Sequence, residues 1–589
     1  MNKNYRDKIL LLCGTQKIKN QRELSNKLKI SVGKINYILK ELKDEGIINE
    51  KFEINETYLK KISINKPKSA IILAAGIGSR MAPINLNVPK ALIEINSEVL
   101  IERIIKFLHE VNIKKIYIVV GFQKEKFEYL IDKYDVDLIV NSKYQEFNNI
   151  YSLYLLRDKI DCSYVVPANI WLSNNPFNLN ELSSWILMSN KKDENSNWFV
   201  RKNGKIEIKK TKFGNRKIGI AYIDSLDSKK IKKQIVDKIE KFKCYENYWE
   251  DILVENDEIM IKGIIKNDKD FYEIDTYEHL IILDENSNSL KNDSIELIKD
   301  VFCVESNEIK GIRALKKGMT NRSFLFGIKD KKYIMRIPGE GTENLINRKQ
   351  EAQVYKEIKK YGICDNIIYI NELNGYKITE YIDDTRTCDI NNNEDLELCM
   401  KFLKKFHNLD IKVNHEFNIF SQIDLYEKLW GGKKPDYLDY YETKQKVFSL
   451  KKYIDDHIER RSLTHIDAVP DNFLIYNNEN NIKEVKLIDF EYSGMQDPHV
   501  DIAMFCIYSL YNKKQIDKLI DIYFENNCTK ENRIKIYCYI SCCGLLWSNW
   551  CEYKKMLGVE FGEYSLRQYR YAKEYYLIAL EEMENDQYE

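Results

Sequence analysis

The sequence predicts a multidomain protein that combines α/β and α+β architecture. Its 589 residues exceed what one hydrophobic core usually supports, so three or four domains are expected. An apolar run at 70–73 leads into a glycine loop, which is typical of a buried strand in a parallel sheet. Much later, the segment 463–475 (LTHIDAVPDNFLI) carries His, Asp and Asn at a spacing typical of a catalytic loop. We therefore expect at least two catalytic domains.

Composition excludes several classes of protein. The chain has 92 basic and 91 acidic residues, so its net charge does not call for nucleic acid or an acidic partner. No stretch approaches the roughly 18 apolar residues of a membrane span. The apolar patch near the amino terminus is too short, and too soon interrupted by polar residues, for a signal peptide. The 13 cysteines show no CxxC pair or metal spacing, which favours free thiols in a reducing cytoplasm.

The first domain is expected at 1–65. Two amphipathic segments, at 6–12 and 21–28, precede a third at 31–45 whose apolar residues recur at helical spacing, with Gly46 after it. Two short strand-like runs follow, before a linker at 61–68. This order resembles a winged helix-turn-helix. Acidic residues on the third helix dilute its basic ones, so DNA binding, dimerisation and domain docking all remain open.

The second domain is expected at 67–290 and opens with SAIILAAGIGSRM, followed by PKAL. Glycines let the backbone approach a phosphate, and the cations Arg80 and Lys90 suit a triphosphate. The pattern resembles the signature of sugar-phosphate and choline-phosphate nucleotidyltransferases, which implies a Rossmann-like domain with a mostly parallel sheet. The nucleotide-binding residues that this resemblance implies are Leu73, Ala74, Ala75, Gly76 and Gly78.

Two further segments of this domain match the same family. NNIYSLYLLRD (148–158) resembles a segment of choline-phosphate cytidylyltransferases that helps form the nucleotide site, so Asn148 and Ser152 are candidates, although a capped helix explains the segment equally well. YEIDTYEHL (272–280) resembles the family's closing E-I-D segment, which makes Asp275 the metal candidate, with Glu273 as its nearest acidic alternative.

One position departs from the family pattern. In SYVVPANIWL (163–172) the family carries an acidic residue that binds the catalytic magnesium, and here Asn169 stands at that position. An amide can coordinate a hard cation but brings no negative charge to it. Lost activity, an altered metal geometry and a deliberate inactivating substitution all remain open.

Aromatic and acidic residues at 245–251 (YENYWED) suggest a site for a quaternary ammonium group. Such a cation is held by aromatic faces and negative charge, so Trp249, Glu250 and Tyr222 are candidate choline contacts. The start of an ordinary amphipathic helix explains the same residues.

The third domain is expected at 300–589. KGMTNRSFLF (317–326) resembles the phosphate loop of choline kinases, which implies nucleotide contacts from Thr320 and Asn321. KYIMRI (332–337) matches the strand that carries the ATP-phosphate cation, a position that Arg336 takes here. The resemblance also implies that Glu351 pairs with this arginine. It implies an adenine hinge at the end of the strand 376–382, where Glu380 and Ile382 are the candidate contacts.

The catalytic loop and the segment after it fit kinase-like phosphotransferases. In H-x-D-x-x-x-x-N, Asp467 accepts the hydroxyl proton and Asn472 binds magnesium, while His465 is a structural support. In VKLIDFEYSG (485–494), Asp489 matches the metal-binding Asp and Glu491 is the additional acid of choline kinases. The motifs imply a protein-kinase-like bilobal phosphotransferase, completed by Asp501 in HVDIAMF.

Substrate choice is predicted from the helix at 543–553. Trp547, Trp550 and Tyr553 share one helical face, with Glu491 or Glu552 as the nearby acid. Aromatic residues at this spacing are usually core, yet the pattern resembles the choline pocket of choline kinases.

The resemblance as a whole implies a cytoplasmic bifunctional enzyme. It would phosphorylate choline with ATP, then form CDP-choline from phosphocholine and CTP with Mg²⁺, for decoration of cell-surface polysaccharide. DNA through residues 1–65 and a second copy in a homodimer are candidate partners. The alternatives are a DNA-binding regulator that senses choline metabolites and a kinase of ethanolamine or another amino alcohol.

Overall fold

A computed structural model describes residues 2–15, 17–28, 30–59, 66–211, 213–241, 247–255, 259, 261–285, 287–315, 321–339, 341–431, 433–478, 480–559 and 561–588. The chain divides into two compact units, 1–314 and 315–589. The predicted linker falls largely outside the described residues. The predicted boundaries at 65, 67, 290 and 300 stay predictions.

The amino-terminal helices form where amphipathic periodicity predicted them. They are α1 (Asn2–Thr15), α2 (Gln21–Leu28), α3 (Val32–Asp44) and α4 (Glu56–Leu59). The side chain of Asn20 accepts the backbone N–H of Glu23, and Ser31 caps α3 by accepting from Lys34, so both helices begin at a capping residue. The two strand-like runs form a short hairpin, closed by a bridge between Ile48 and Ile54. This arrangement is the predicted winged helix.

The rest of the first unit alternates strands and helices. Its strands are β1 (Ser69–Ala74), β2 (Glu94–Ile95), β3 (Glu98–Val99), β4 (Lys115–Val120), β5 (Asp137–Val140), β6 (Ser163–Pro167), β7 (Ile170–Leu172), β8 (Trp185–Asp193), β9 (Trp198–Val200), β10 (Ile206–Ile208), β11 (Gly214–Ile223), β12 (Lys262–Lys266), β13 (Phe271–Glu273) and β14 (Ile309–Ala314). Its helices are α5 (Ile84–Asn87), α6 (Leu100–Glu110), α7 (Tyr129–Tyr134), α8 (Asn149–Leu155), α9 (Ser225–Val236), α10 (Ile252–Glu255), α11 (Tyr277–Leu283) and α12 (Asp293–Phe302).

A seven-stranded sheet in the order β12-β8-β11-β6-β1-β4-β5 organises this unit. Every neighbouring pair is parallel except those of β11, which runs antiparallel to β6 and β8. Apolar side chains cover both faces of the sheet, as expected for strands that are continuous hydrophobic runs. The predicted mostly parallel α/β domain is confirmed.

The second unit has a small sheet followed by helices. Its strands are β15 (Asn321–Ile328), β16 (Lys331–Pro338), β17 (Ile367–Ile370), β18 (Lys377–Glu380), β19 (Arg386–Thr387), β20 (Ser462–Thr464), β21 (Phe473–Asn477), β22 (Lys483–Leu487) and β23 (Gly494–Gln496). Its helices are α13 (Arg348–Ile358), α14 (Asn393–His407), α15 (Ile419–Leu429), α16 (Tyr440–Ser449), α17 (Lys451–Asp456), α18 (His499–Tyr508), α19 (Lys513–Phe524), α20 (Lys530–Met556) and α21 (Glu563–Tyr588).

Two lobes result from this order. Antiparallel pairing joins β15, β16, β18 and β17, and α13 follows β16 in the chain, which gives the smaller lobe. The helices from α14 onwards bury the largest apolar cluster of the chain, with α20 at its centre. This is the bilobal architecture that the motifs predicted. Across the described residues, no helix is both long and apolar enough to cross a membrane.

Candidate active sites

The first site lies where two parallel strands of the large sheet end. Leu73 of β1 pairs with Pro167 of β6, so both strands leave the sheet at the same edge. The glycine loop follows β1, and Asn169 follows β6. Because carboxyl ends of parallel strands form the binding crevice of open α/β sheets, the topology itself brings the predicted residues together.

Gly78 is the glycine whose conformation the loop requires. Its φ is +67°, and a Cβ there would lie 3.3 Å from Cβ of Lys90. A side chain would therefore be strained and would press on Lys90. The loop can close over this lysine only because position 78 has no side chain.

Short antiparallel pairing adds the acidic residues to the same edge. Glu273 of β13 pairs with Ile170 of β7, and the N–H of Ile274 donates to the carbonyl of Asn169 over 2.9 Å. Asp275 is thereby held beside Lys90, with which it forms an ion pair, and its Oδ2 lies 3.0 Å from Nη2 of Arg80. Five residues proposed from separate motifs thus form one cluster: Arg80, Lys90, Asn169, Glu273 and Asp275.

The amide of Asn169 bridges the two carboxylates of this cluster. Its Nδ2 donates to Oε1 of Glu273 over 3.3 Å and to Oδ1 of Asp275 over 3.0 Å. Burial and the neighbouring Asp275 raise the pKa of Glu273. Burial also favours the protonated form of Asp275, but the Lys90 ammonium outweighs it and lowers the pKa of Asp275.

These residues do not fit a divalent cation. Both carboxylate oxygens of Asp275 already take part in ion pairs with Lys90 and Arg80. Two carboxylate acceptors fix the orientation of the Asn169 amide, so its N–H donors face the place where a metal would need oxygen ligands. The Asn169 amide donor here takes the place that a cation would have between the two carboxylates, Glu273 and Asp275.

Glu250 lies next to this site. A Cβ on Gly219 would be 3.2 Å from its Oε1 and 3.3 Å from Cγ of Pro167, the last residue of β6. Burial raises the pKa of Glu250 to about 7. Asn149 donates to Oε2 of Glu250 over 3.4 Å and accepts the N–H of Trp249 over 2.9 Å. The prediction missed Asn149, although it is the second residue of the Asn pair that opens the motif.

The other residues predicted for the first unit lie further from the cluster. Asn148 caps α8, and the buried hydroxyl of Ser152 accepts from Asn141 over 3.0 Å. The ring of Trp249 is fully buried in the core, although its neighbour Glu250 is at the site. Tyr222 pairs with Tyr164 at the amino end of β6 and is fully buried, so it does not line the site and its prediction is corrected.

The second site is built on the loop 465–472. Carboxylate oxygens of Asp501 accept the backbone N–H groups of His465 (2.9 Å) and Ile466 (2.7 Å), and Ile466 is held at a φ of +70°. His465 is buried, and its Nε2 lies 2.9 Å from the carbonyl oxygen of Ile488. These bonds give Asp467 a fixed position, and His465 has the geometry of a structural support.

Asp467 is the candidate proton acceptor. Burial and the nearby carboxylates of Asp489 and Glu491 raise its pKa well above the usual range. Asn472 donates from Nδ2 to the carbonyl and to Oδ2 of Asp467, over 2.8 and 3.2 Å. The carbonyl of Asn472 accepts the N–H of Ile488 over 3.0 Å, which ties the loop to the segment that carries Asp489.

A buried network surrounds Arg336. Its Nη1 lies 2.5 Å from Oε1 of Glu351, 3.2 Å from Oδ1 of Asp489 and 3.6 Å from Oε2 of Glu491. Its Nη2 donates to the carbonyl of Gly375 over 3.0 Å. Burial alone would lower the pKa of this guanidinium, but Glu351 and its neighbours raise it, so Arg336 stays charged.

Arg348 is a second cation of the network, and the sequence analysis did not single it out. Its Nη1 lies 2.8 Å from Oε2 of Glu351 and 3.2 Å from Oε2 of Glu491. Gly375, at a φ of +71°, makes room for it, because a Cβ there would lie 2.6 Å from Cδ of Arg348. In the sequence, the one sign of this role was the position of Arg348, a cation three residues before Glu351 on a predicted helix.

The structure also places the residues predicted to bind nucleotide. Asn321 begins β15 and donates to Oε2 of Glu491 over 2.9 Å. Glu380 ends β18, its side chain bonded to Lys331 and Asn366, and Ile382 follows at the predicted hinge. Thr320 lies outside the described residues.

Asp489 is the carboxylate of this network that suits a divalent cation, because its ion pair with Arg336 engages Oδ1, whereas both oxygens of Glu351 are paired with Arg336 and Arg348. Glu351, Asp489 and Glu491 each offer a carboxylate oxygen within 4.8 Å of the others. Carboxylate oxygens are the ligands that magnesium prefers. The side chain of Asp489 is 27% exposed, whereas those of Glu351 and Glu491 are almost fully buried, so Asp489 is the carboxylate that faces an incoming ligand.

Aromatic rings lie beside this acidic centre. Trp547 and Trp550 of α20 stack at 6.4 Å with an interplanar angle of 15°, and Tyr492 contacts Trp547 at 5.8 Å. Tyr492 links the rings to the acidic centre, because burial and the carboxylates of Glu491 and Asp467 raise its pKa. Tyr553 is on the same helix but its hydroxyl accepts from Asn344 over 3.3 Å.

Two tyrosines near this centre escaped the sequence analysis. The hydroxyls of Tyr426 and Tyr564 are buried, without a hydrogen-bond partner among the described residues. Burial raises the pKa of each, and the Asp467 carboxylate adds to the effect. Glu552, in contrast, is next to Asp436 and Lys555, so Glu491 is the acid of this cluster.

Known proteins resemble both units. The choline-phosphate cytidylyltransferase of Streptococcus pneumoniae is 34% identical over 232 residues, which are 38% of this chain and 99% of that protein. The chain belongs to the choline-phosphate cytidylyltransferase family. Residues 70–165 also match the MobA-like NTP transferase domain.

The cytidylyltransferase is joined to two further modules. Residues 312–541 match the Choline/ethanolamine kinase family, and 19–49 match a Winged helix-turn-helix DNA-binding family. Protein LicA of Haemophilus influenzae is 28% identical over 268 residues, which are 43% of this chain and 76% of that protein. A crystal structure of choline kinase LicA from Streptococcus pneumoniae is 29% identical and has a TM-score of 0.42, with 48% of this chain and 98% of that chain covered. The predicted order of winged helix, transferase and kinase is confirmed.

Proposed function

We propose that the second unit phosphorylates choline with ATP and that the first unit converts the product to CDP-choline with CTP. One observation carries the assignment: Tyr492 contacts Trp547 of the stacked Trp547–Trp550 pair, and burial together with the carboxylates of Glu491 and Asp467 raises the pKa of this tyrosine. A trimethylammonium group donates no strong hydrogen bonds, so aromatic faces and a carboxylate are the groups that hold it.

In the kinase step, the choline hydroxyl attacks the γ-phosphorus of ATP and ADP leaves. Asp467 accepts the hydroxyl proton, and its hydrogen bonds from Asn472 fix the orientation of its carboxylate. Arg336 neutralises phosphate oxygens from a position that Glu351 and Gly375 define. Asp489 and Asn472 would hold Mg²⁺, which supplies further charge neutralisation when bound.

In the transferase step, the phosphate of phosphocholine attacks the α-phosphorus of CTP and pyrophosphate leaves. Arg80 and Lys90 neutralise the triphosphate, and the backbone of the glycine loop lies close to its phosphate groups. Glu250 attracts the cationic head of phosphocholine. Because the cluster around Asn169 does not fit a divalent cation, we propose that this second step is slow. The CDP-choline formed would serve decoration of cell-surface polysaccharide.

A coupled assay with choline, ATP, CTP and Mg²⁺ tests both halves when phosphocholine and CDP-choline are followed separately. We expect abundant phosphocholine and little CDP-choline from the natural chain. Asn169→Asp should raise CDP-choline formation at least about tenfold, because it supplies a missing charged ligand. Equal CDP-choline formation by both proteins would refute the role of position 169, and ethanolamine turnover above choline turnover would refute the kinase substrate.

The same variant has a second readout that does not depend on turnover. Without metal, a third carboxylate replaces the bridging amide, so the unfolding temperature in EDTA should fall by about 5 °C. Mg²⁺ should restore it in Asn169→Asp and leave the natural chain unchanged. Asn174→Asp, an exposed Asn on the same unit, is the matched control.

The winged helix suggests DNA as a partner, and we propose the exposed face of α3 as the contact. Asn36, Tyr37 and Lys40 are exposed on this face, while Ile35, Ile38 and Leu39 face the core. A gel shift with DNA from upstream of the coding sequence tests the proposal at moderate salt. Lys40→Glu should abolish the shift, and no shift by the natural chain would count against DNA binding.

A further inference from the structure

One segment of the first unit is dense in positive charge, and one of its cations, Arg216, is paired with Glu273 of the first site. Residues 191–217 contain ten Lys or Arg and only three Asp or Glu, although the whole chain has 92 basic and 91 acidic residues. We call this segment the basic hairpin, since it comprises the end of β8, the β9–β10 hairpin and the start of β11.

The outer face of the hairpin is defined by its pairing. Val200 opposes Ile206, and both pack towards the core of the unit. Phe199 opposes Glu207, so these two side chains lie on the other, outward face. Alternation along β10 and its continuation puts Lys205 and Lys209 on the face of Glu207.

Cations surround Phe199 on this outward face. The Nζ atoms of Lys192 and Lys209 lie 5.1 and 4.6 Å from the centroid of its ring. Glu207 is paired with Arg201, which leaves the neighbouring lysines in excess. Six lysines of the segment are exposed: Lys191, Lys192, Lys202, Lys205, Lys209 and Lys210.

Apolar side chains are exposed within the same segment. Phe213 is 55% exposed; Ile208 is 49% exposed but alternates onto the face of Ile206, opposite Lys205 and Lys209. Phe213 also adopts a φ of +110°, which a residue with a large side chain rarely does. The strained backbone at Phe213 holds its ring in solvent, where the ring does not contribute to the core of the unit.

We infer that the basic hairpin docks the chain on the surface of an anionic lipid bilayer. Clustered lysines are attracted by the negative potential of such a surface, and a neighbouring apolar side chain enters the boundary between headgroups and acyl chains. Nucleic acid fits less well. Two ammonium groups already lie over the Phe199 ring, where a base would stack, and Phe213 gains nothing from a phosphate backbone.

Vesicle sedimentation with the full chain tests this inference. We expect binding to vesicles of phosphatidylcholine and phosphatidylglycerol in a 70:30 mixture at 0.1 M NaCl. Binding to pure phosphatidylcholine should be at least tenfold weaker, and 0.5 M NaCl should release the protein, because salt screens the attraction. Equal binding to both kinds of vesicle, or binding to neither, would overturn the inference.

Charge reversal then assigns the binding to the hairpin. Lys209→Glu combined with Lys210→Glu should lower vesicle binding at least tenfold, whereas Lys401→Glu with Lys405→Glu, two exposed lysines of α14, should not. Phe213→Ser should weaken binding and leave its salt dependence unchanged. CTP binding, a property of the first unit, reports that the hairpin variants are folded, and ATP-dependent phosphorylation of choline reports the same for the α14 variant. Equal binding by the two charge-reversed proteins would contradict the assignment, as would hairpin-dependent binding of an oligonucleotide in place of vesicles.

Discussion

At position 169 a neutral amide joins two carboxylates that would otherwise repel each other. Asn169 donates to Glu273 and Asp275, and Lys90 and Arg80 complete the balance of charge. The site is therefore stable without a metal ion, whereas an aspartate there would need one. A difference of one atom type decides whether this edge of the sheet binds a cation or excludes it.

We expect the proposed recognition of the cationic head by Glu250 to depend on pH. Burial raises its pKa to about 7, so the carboxyl is neutral below that pH and charged above it. Only the charged form attracts trimethylammonium. We expect phosphocholine to bind several-fold more tightly at pH 8 than at pH 6, measured by calorimetry.

A matched variant separates this effect from the titration of the ligand itself. The phosphate of phosphocholine has a pKa of about 6 and contributes its own pH dependence. Glu250→Gln should retain only that contribution and should bind more weakly than the natural chain at pH 8. An unchanged pH profile in Glu250→Gln would remove Glu250 from the binding site.

At the scale of elements, helix α20 serves two purposes. It lies at the centre of the largest apolar core, and it presents Trp547 and Trp550 next to the Glu491–Tyr492 segment. Aromatic residues three positions apart on a helix stack naturally, so the periodicity that builds the core also builds the cation site.

We expect Trp550→Leu to raise the KM for choline about 30-fold, because a desolvated cation–π contact contributes about 2 kcal/mol. Trp550→Phe keeps an aromatic face and should lose much less. Turnover of the neutral isostere 3,3-dimethylbutanol is the discriminating measurement, since it should respond equally to both variants. A choline KM that is the same in both would show that Trp550 only fills space.

The sequence was informative wherever function depends on local order. The strand, glycine loop and capped helices follow from runs of neighbouring residues, and so do the positions of Lys90, Asp467 and Asp489 within their motifs. Tyr426 and Tyr564 could not be found in this way, because they come near Asp467 only after α15 and α21 have packed. Tyr222 was misjudged because alternation along β11 does not show which end of the sheet it occupies.

At the scale of the whole molecule, each unit carries its own core and its own catalytic cluster. A substitution in one cluster should therefore leave the chemistry of the other intact. We expect Asp467→Asn to lower phosphorylation of choline by about 10²–10⁴-fold, the usual contribution of a positioned base.

The corresponding readout for the first unit is CTP binding by Asp467→Asn, which should equal that of the natural chain. Supplied phosphocholine should also yield CDP-choline at the natural rate. A parallel loss of both activities would mean that the units depend on each other.

The two units carry different cations at their proposed nucleotide sites, Lys90 in the first and Arg336 in the second, and these differ in their reactivity towards acylating reagents. The proposed nucleotide site of the first unit contains Lys90, whose pKa burial lowers although the paired Asp275 opposes the shift. The guanidinium of Arg336 stays protonated and does not accept an acyl group. An acylating nucleotide analogue should therefore be able to label Lys90 but not Arg336, so labelling of Lys90 can report the occupancy of the proposed nucleotide pocket of the first unit in the intact chain.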